Sequence, residues 1–143
     1  MKIFGIGTDI ISVGRINKSL KNKNLLNRLF SKEEISKCGK LIESKNCYAK
    51  RFAAKEAFSK ALGTGIANGI NFNEIIVLNE KNGKPFIKII GKTKKIVQKK
   101  FKKKAKFFLS LSDEKDYAVA FVTISLWKKK NTYLSFTIIL KLF

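Results

Sequence analysis

Histidine is absent from this sequence of 143 residues, which has 2 cysteines, 1 proline and only 10 acidic residues against 31 basic ones. Without an imidazole, every Ser-His-Asp and Cys-His nucleophile arrangement is excluded. Cys38 and Cys47 alone are too few soft ligands for a structural zinc site. The lack of proline, with 45% hydrophobic and 29% charged residues, excludes collagen-like, proline-rich and wholly disordered chains. No apolar run reaches the ~18 residues of a membrane span. Met1-Lys2 leads into a short apolar run broken by glycine and Asp9, which does not resemble a secretory leader. The length predicts about one domain. Such a chain buries roughly two thirds of its unfolded surface and needs no disulfide or metal staple. These features together predict a cytoplasmic, reduced, single-domain protein.

Arginine is also scarce, with Arg15, Arg28 and Arg51 the only three among 31 basic residues. The net charge of +21 calls for an acidic partner, whether nucleic acid, anionic membrane, phosphorylated small molecule or acidic protein. Readers of nucleic-acid grooves favour arginine, so this lysine excess fits compositional drift as well as it fits function.

What is present reads as a compact α+β domain of antiparallel strands around a long central helix. Residues 3–11 form a strand whose glycines admit a close neighbour. Ser12 caps a helix over Val13–Leu20, and a short helix covers Leu25–Phe30. Ser31-Lys32-Glu33-Glu34 is a capping box opening a helix to Gly39. A long helix runs from about Lys45 to Leu62 and stops at Gly63-Thr64-Gly65. Strands over Glu74–Glu80 and Pro85–Ile90 meet across Asn82-Gly83, and a lysine-rich helix spans residues 92–105. A last hairpin pairs Phe107–Leu111 with Tyr117–Ile124. From Trp127 the pattern changes, so residues 1–126 read as the domain and 127–143 as an apolar extension, whose simplest form is an added strand and whose alternatives are disorder or a surface contact with a neighbour or membrane.

So few acids can be audited singly. Glu34 belongs to the capping box, Glu33 and Glu43 to exposed helix surface, Glu74 and Glu80 to strand ends, and Asp113, Glu114 and Asp116 to a turn. Asp9 and Glu56 remain. Asp9 interrupts an apolar strand, and Glu56 lies in the least polar part of the long helix. Asp9 as a helix cap and Glu56 in an i,i+4 pair with Lys60 are the structural readings of each. Together with the Gly-Thr-Gly helix end and nearby lysines, they fit a magnesium ion on a phosphate ligand, since magnesium takes one or two carboxylates plus water and phosphate oxygens.

At these residues the sequence resembles the holo-[acyl-carrier-protein] synthases, the small phosphopantetheinyl transferases. Gly5-Ile6-Gly7-Thr8-Asp9-Ile10-Ile11 through Arg15-Ile16 is one shared motif, and Lys50-Arg51-Phe52-Ala53-Ala54-Lys55-Glu56-Ala57-Phe58-Ser59-Lys60 through Ile66 is the other. Asn82-Gly83-Lys84-Pro85 and the last hairpin follow in order. The resemblance implies transfer of 4′-phosphopantetheine from coenzyme A to a serine of apo acyl carrier protein, with release of adenosine 3′,5′-bisphosphate, in fatty acid biosynthesis. It implies Asp9 and Glu56 as magnesium ligands, Glu56 and Lys60 as catalytic, and Arg51, Lys60, Gly63, Gly65 and Lys84 as holding coenzyme A. It further implies a homotrimer, and a first helix whose Arg15, Lys18 and Lys21 meet the acidic carrier protein.

Two positions depart from the pattern. Ser12 stands where the family often has glutamate, and Phe108 where it commonly has histidine. A base other than imidazole must then prepare the serine hydroxyl. Nucleic-acid binding by the Lys92–Lys106 helix, which carries nine lysines and no acid, is the other reading, against which we expect a solvated helix face.

Overall fold

In a computed structural model of the chain, the described residues are 1–65, 68–102 and 104–127. The tail after Trp127, and Ile66 of the second motif, lie outside them. The elements in chain order are β1 (Lys2–Ser12), α1 (Val13–Ser19), α2 (Lys23–Leu29), α3 (Lys32–Gly39), α4 (Ser44–Leu62), a 3-10 turn (Phe72–Glu74), β2 (Ile75–Asn79), β3 (Pro85–Ile89), α5 (Gly91–Phe101), β4 (Lys104–Asp113) and β5 (Tyr117–Trp127). β1, β5 and β4 form one antiparallel sheet in that order, and β2 and β3 a separate hairpin. This is the expected α+β architecture.

Local chemistry explains most boundaries. Ser12 Oγ accepts from the Arg15 amide, and Ser31 with Glu34 makes both bonds of a capping box. Asn22, not anticipated as a cap, accepts from the amides of Asn24 and Leu25 and starts α2. Gly63 ends α4 in the left-handed region at φ 73°, where glycine carries no Cβ penalty. The lysine-rich helix is shorter than expected. It stops at Phe101, with Lys102 left-handed at φ 48°, and the chain enters β4 at Lys104. Helix propensity is high for lysine, but Ala105, Phe107 and Leu109 alternate inward with Lys104, Lys106 and Phe108 outward, a strand period that tertiary packing selects.

The α4–β1 contact sets the geometry of everything that follows. Ala49, Ala53, Ala57 and Ala61 recur every four residues on α4 and are all buried. Gly5 and Gly7 on β1 face them so closely that a Cβ on either would collide with the Ala61 or Ala57 carbonyl. The close neighbour expected at these glycines is therefore helix backbone. Because side chains alternate along a strand, Asp9 emerges on this same α4-facing side, two residues beyond Gly7.

A second tie was not legible. Lys55, fully buried on α4, donates to Glu34 Oε2 at 2.8 Å, to the Leu29 carbonyl at 2.8 Å and to the Phe72 carbonyl at 2.9 Å. Glu34 also accepts from the Ser31 and Val77 amides. The capping box is thus only part of what Glu34 does. Burial lowers the Lys55 ammonium to about 8 against the pull of Glu34.

The expectation of reduced cysteines is overturned. Cys38 at the end of α3 and Cys47 in the first turn of α4 are joined as a disulfide, their Cα atoms 5.5 Å apart. The turn between the two helices folds them together, a proximity that a nine-residue spacing does not announce.

Candidate active site

Asp9 and Glu56 are brought together from β1 and α4. The pairings weighed for them in isolation do not form. Ser12, not Asp9, caps α1, and Lys60 reaches across to Asp9 instead of back to Glu56. Lys60 Nζ donates to Asp9 Oδ1 at 2.8 Å and to the Thr8 carbonyl at 3.0 Å. Asp9 therefore has a partner, contrary to the expectation that it lacks one. A side chain one turn from Glu56 on α4 reaches the neighbouring strand because the alanine and glycine surfaces bring the two backbones so close.

Among the described residues, no cation pairs with Glu56. Its carboxyl is pushed above the ordinary carboxylate range by burial first and by the charge of Asp9 second, while Lys60 pulls the other way. Two carboxylates near enough for the charge of one to raise the proton affinity of the other are a donor set that a hard divalent cation relieves. Among the described residues no cluster of three or more acidic, cysteine or histidine side chains surrounds a point, so water and ligand oxygens would complete such an ion's shell.

Glu56 lines a cleft of about 650 Å³ shared with Arg28, Leu29, Phe52, Phe72 and Glu74. The Phe52 and Phe72 rings meet edge to face at 5.7 Å along its wall. Two of the walls, the end of α2 and the 3-10 turn, are the segments whose carbonyls Lys55 grips. Arg28 is the one cation here that sequence reasoning did not assign, and a lone arginine on a short helix has no motif that could have flagged it. Glu74, read as a strand-end residue, accepts from the Lys92 and Thr93 amides and so caps α5.

Other expected site residues lie elsewhere. Gly63 and Gly65 are at the end of α4, exposed, both with positive φ. Arg51 is on the far side of α4, 5% exposed, donating to the Cys47 carbonyl and Sγ and to Asn79 Oδ1. It lines a second cleft of about 400 Å³ with Lys50, Asn79, Gly83, Pro85 and Asp113. Lys84, exposed in the turn beside Gly83, belongs to that side too. Phe108 points outward from the sheet, as do Ile6, Ile10, Val119 and Phe121, all exposed in the single chain. A side chain at 108 therefore faces away from Asp9 and Glu56 of its own copy.

Comparison with known proteins bears on this arrangement. Residues 5–122 match the family model described as the 4′-phosphopantetheinyl transferase superfamily. The chain is 54% identical to a holo-[acyl-carrier-protein] synthase of Pelagibacter ubique over 87% of its own length and 98% of the relative's. It is 43% identical to the synthase of Aliivibrio fischeri, covering 85% and 97%. Among solved structures, the synthase of Neisseria meningitidis superposes with a TM-score of 0.77 at 36% identity, covering 87% of this chain and 99% of that one. The Bacillus anthracis synthase, solved in complex with CoA (3′,5′-ADP), gives 0.72 at 35%, covering 87% and 98%. The chain belongs to the holo-[acyl-carrier-protein] synthases, phosphopantetheinyl transferases of the 4′-phosphopantetheinyl transferase superfamily.

Proposed function

We propose that this chain moves 4′-phosphopantetheine from coenzyme A to a serine of apo acyl carrier protein in the cytoplasm, with magnesium, releasing adenosine 3′,5′-bisphosphate and supporting fatty acid biosynthesis. The observation that carries this reading is the facing of Asp9 and Glu56 across β1 and α4, with Lys60 between strand and helix. The serine oxygen bonds to the pyrophosphate phosphorus bearing pantetheine, the bond from that phosphorus to the bridging oxygen breaks, and the nucleotide leaves with the electron pair. Bound magnesium, held by Asp9 and Glu56, would neutralise charge on the pyrophosphate oxygens. Lys60, half-exposed and tethered only to Asp9 and the Thr8 carbonyl, is free to turn its ammonium to the same phosphates. No imidazole exists in the chain, so Glu56 is the group assigned here to take the serine proton.

Holding coenzyme A falls to two separate places in one copy, Lys60 with Gly63 and Gly65 at one end of α4, and Arg51 with Lys84 on the other side. A homotrimer resolves the separation, with sites completed between copies and the exposed Ile6, Ile10, Phe108 and Phe121 covered by a neighbour. A side chain at position 108 would then serve a neighbouring copy's site. Arg15, Lys18 and Lys21 are exposed on and just after α1, whose other face buries Val13 and Ile16, and this basic edge steers the acidic carrier protein.

The test is incubation with apo acyl carrier protein, coenzyme A and magnesium, followed by the mass of the carrier protein. A magnesium-dependent gain of one phosphopantetheine, lost in Asp9→Asn and Glu56→Gln, is the expected result. An unchanged mass under all conditions overturns the proposal.

A further inference from the structure

Away from both clefts, an apolar groove of about 1020 Å³ runs between α5 and the start of β4. Its floor is Ile89, Val97, Phe101, Phe107 and Trp127. Its rim is Lys94, Lys102, Lys104 and Lys106, all exposed. Trp127 is 41% exposed, and the Lys106 ammonium lies 4.6 Å from its ring centre. The aromatic surface continues past Phe101 to Phe4, also 41% exposed, with its ring edge to face at 4.6 Å and Lys100 above it. From Lys81 to Ser112 the sequence holds twelve lysines and no acid, so no carboxylate of this segment competes for the rim.

An apolar floor inside a ring of lysines matches a surface that is itself apolar below and anionic above. Lysine stems lie along hydrocarbon while the ammonium groups stay at the phosphates. Tryptophan at the edge of such a patch suits the headgroup level, one end of the ring dry and the other wet. The sequence beyond Trp127 continues this chemistry. Lys128-Lys129-Lys130 is followed by Thr132–Phe143, whose twelve residues include one charge, Lys141. A polybasic segment next to an apolar one is the composition of an interfacial anchor. Duplex nucleic acid fits less well, because the groove offers a greasy floor and lysine point charges where base or backbone readout calls for arginine forks.

We propose that the α5–β4 groove, with Trp127 at its centre, is a docking surface for an anionic lipid bilayer. The site is separate from Asp9, Glu56 and Lys60, so docking holds the enzyme at the membrane with its chemistry intact.

Trp127 is the only tryptophan and reports on its own groove. The full chain is mixed with phosphatidylcholine vesicles with and without one third phosphatidylglycerol, at physiological salt, and followed by co-sedimentation and by tryptophan quenching with bromine-labelled acyl chains. Binding to the anionic vesicles only, with quenching of Trp127, is expected. Since each lysine near an anionic surface contributes roughly fivefold, Lys94→Glu, Lys102→Glu, Lys104→Glu and Lys106→Glu together lower partitioning by at least about a hundredfold. A protein this basic could adhere anywhere, so a control reverses four exposed lysines elsewhere, Lys23, Lys32, Lys40 and Lys81, and retains quenching and most of the binding. Four outcomes overturn the proposal. They are equal loss in rim and control variants, sedimentation without quenching, binding that vanishes on deletion of 128–143 yet ignores the rim, and rim-dependent capture of a DNA duplex with none of the vesicles.

Discussion

Helix α4 carries two lysines that each hold a carboxylate oxygen at 2.8 Å, and the two pairs do opposite work. Lys55 and Glu34 have fully buried side chains, and beyond the local capping box the bonds around them join separate parts of the fold. Lys60 is 51% exposed and Asp9 15%, and nearby Glu56 pairs with no cation among the described residues. The difference lies in what surrounds equal Coulomb pairs. In the interior, three segments converge on Lys55, which bonds Glu34 and the Leu29 and Phe72 carbonyls. At the surface, water and ligand oxygens can replace either partner, so the pair can open and its members can be recruited for chemistry. A residue's neighbour in the sequence says little about its surroundings, since buried Lys55 and Glu56, proposed as a metal ligand, are adjacent.

Five tests would break or sharpen this contrast. The largest effect belongs to Lys55→Met, which strands the Glu34 charge in the interior and should cost about 3–5 kcal/mol. Urea denaturation measures it, and a loss under 1 kcal/mol would mean that the buried pair holds nothing together.

Asp9→Asn and Glu56→Gln should behave in the reverse sense. Transfer is expected to fall on the order of 10²–10³-fold or more, as for loss of a charge-stabilising group at a reacting phosphorus, while the fold is kept. Single-turnover rates at saturating magnesium check this alongside circular dichroism.

Reduction of Cys38–Cys47 comes next. Opening a crosslink between residues nine apart should remove roughly 2–3 kcal/mol on the chain-entropy account. Denaturant midpoints with and without a thiol reductant test it, and because the bond ties α3, one turn beyond Glu34, to α4, reduction and Lys55→Met should not be strictly additive.

Lys60→Met is the sharpest comparison with Lys55→Met. Being solvent-screened, its loss should change stability by at most about 1 kcal/mol, yet lower transfer. The smallest effect concerns pH. Glu56 binds its proton more tightly folded than unfolded, so between the ordinary carboxylate value and its raised one the folded state carries the extra proton. Stability of the metal-free protein from this group therefore falls as pH rises through that window. Glu56→Gln should flatten that slope and leave the variant slightly more stable than the parent at neutral pH, an increment that added magnesium removes.

Much of the fold was legible because its punctuation is local. Ser12, the Ser31–Glu34 box, Gly63 and Asn82-Gly83 act within a few residues of themselves, so the boundaries they mark could be read directly. The end of α5 was not, since lysine-rich sequence supports a helix and only contact of Phe107 with Phe58 draws the chain into a strand. The site divides the same way. Asp9 and Glu56 stood out because acids are scarce and each interrupts an apolar pattern. Which lysine each would meet depended on the depth of the glycine–alanine contact between β1 and α4, a distance that no spacing in the sequence encodes.

By itself, then, the sequence determined the element types, the histidine-free chemistry and the two carboxylates, because composition, caps and periodicity are properties of short stretches of chain. Tertiary structure alone decided that Lys60 turns to Asp9, that Glu34 and Lys55 lock the interior, that Cys38 meets Cys47, and that Arg51 and Glu56 face opposite ways on one helix. Each of these is a contact between residues whose separation in space is set by how closely whole elements pack.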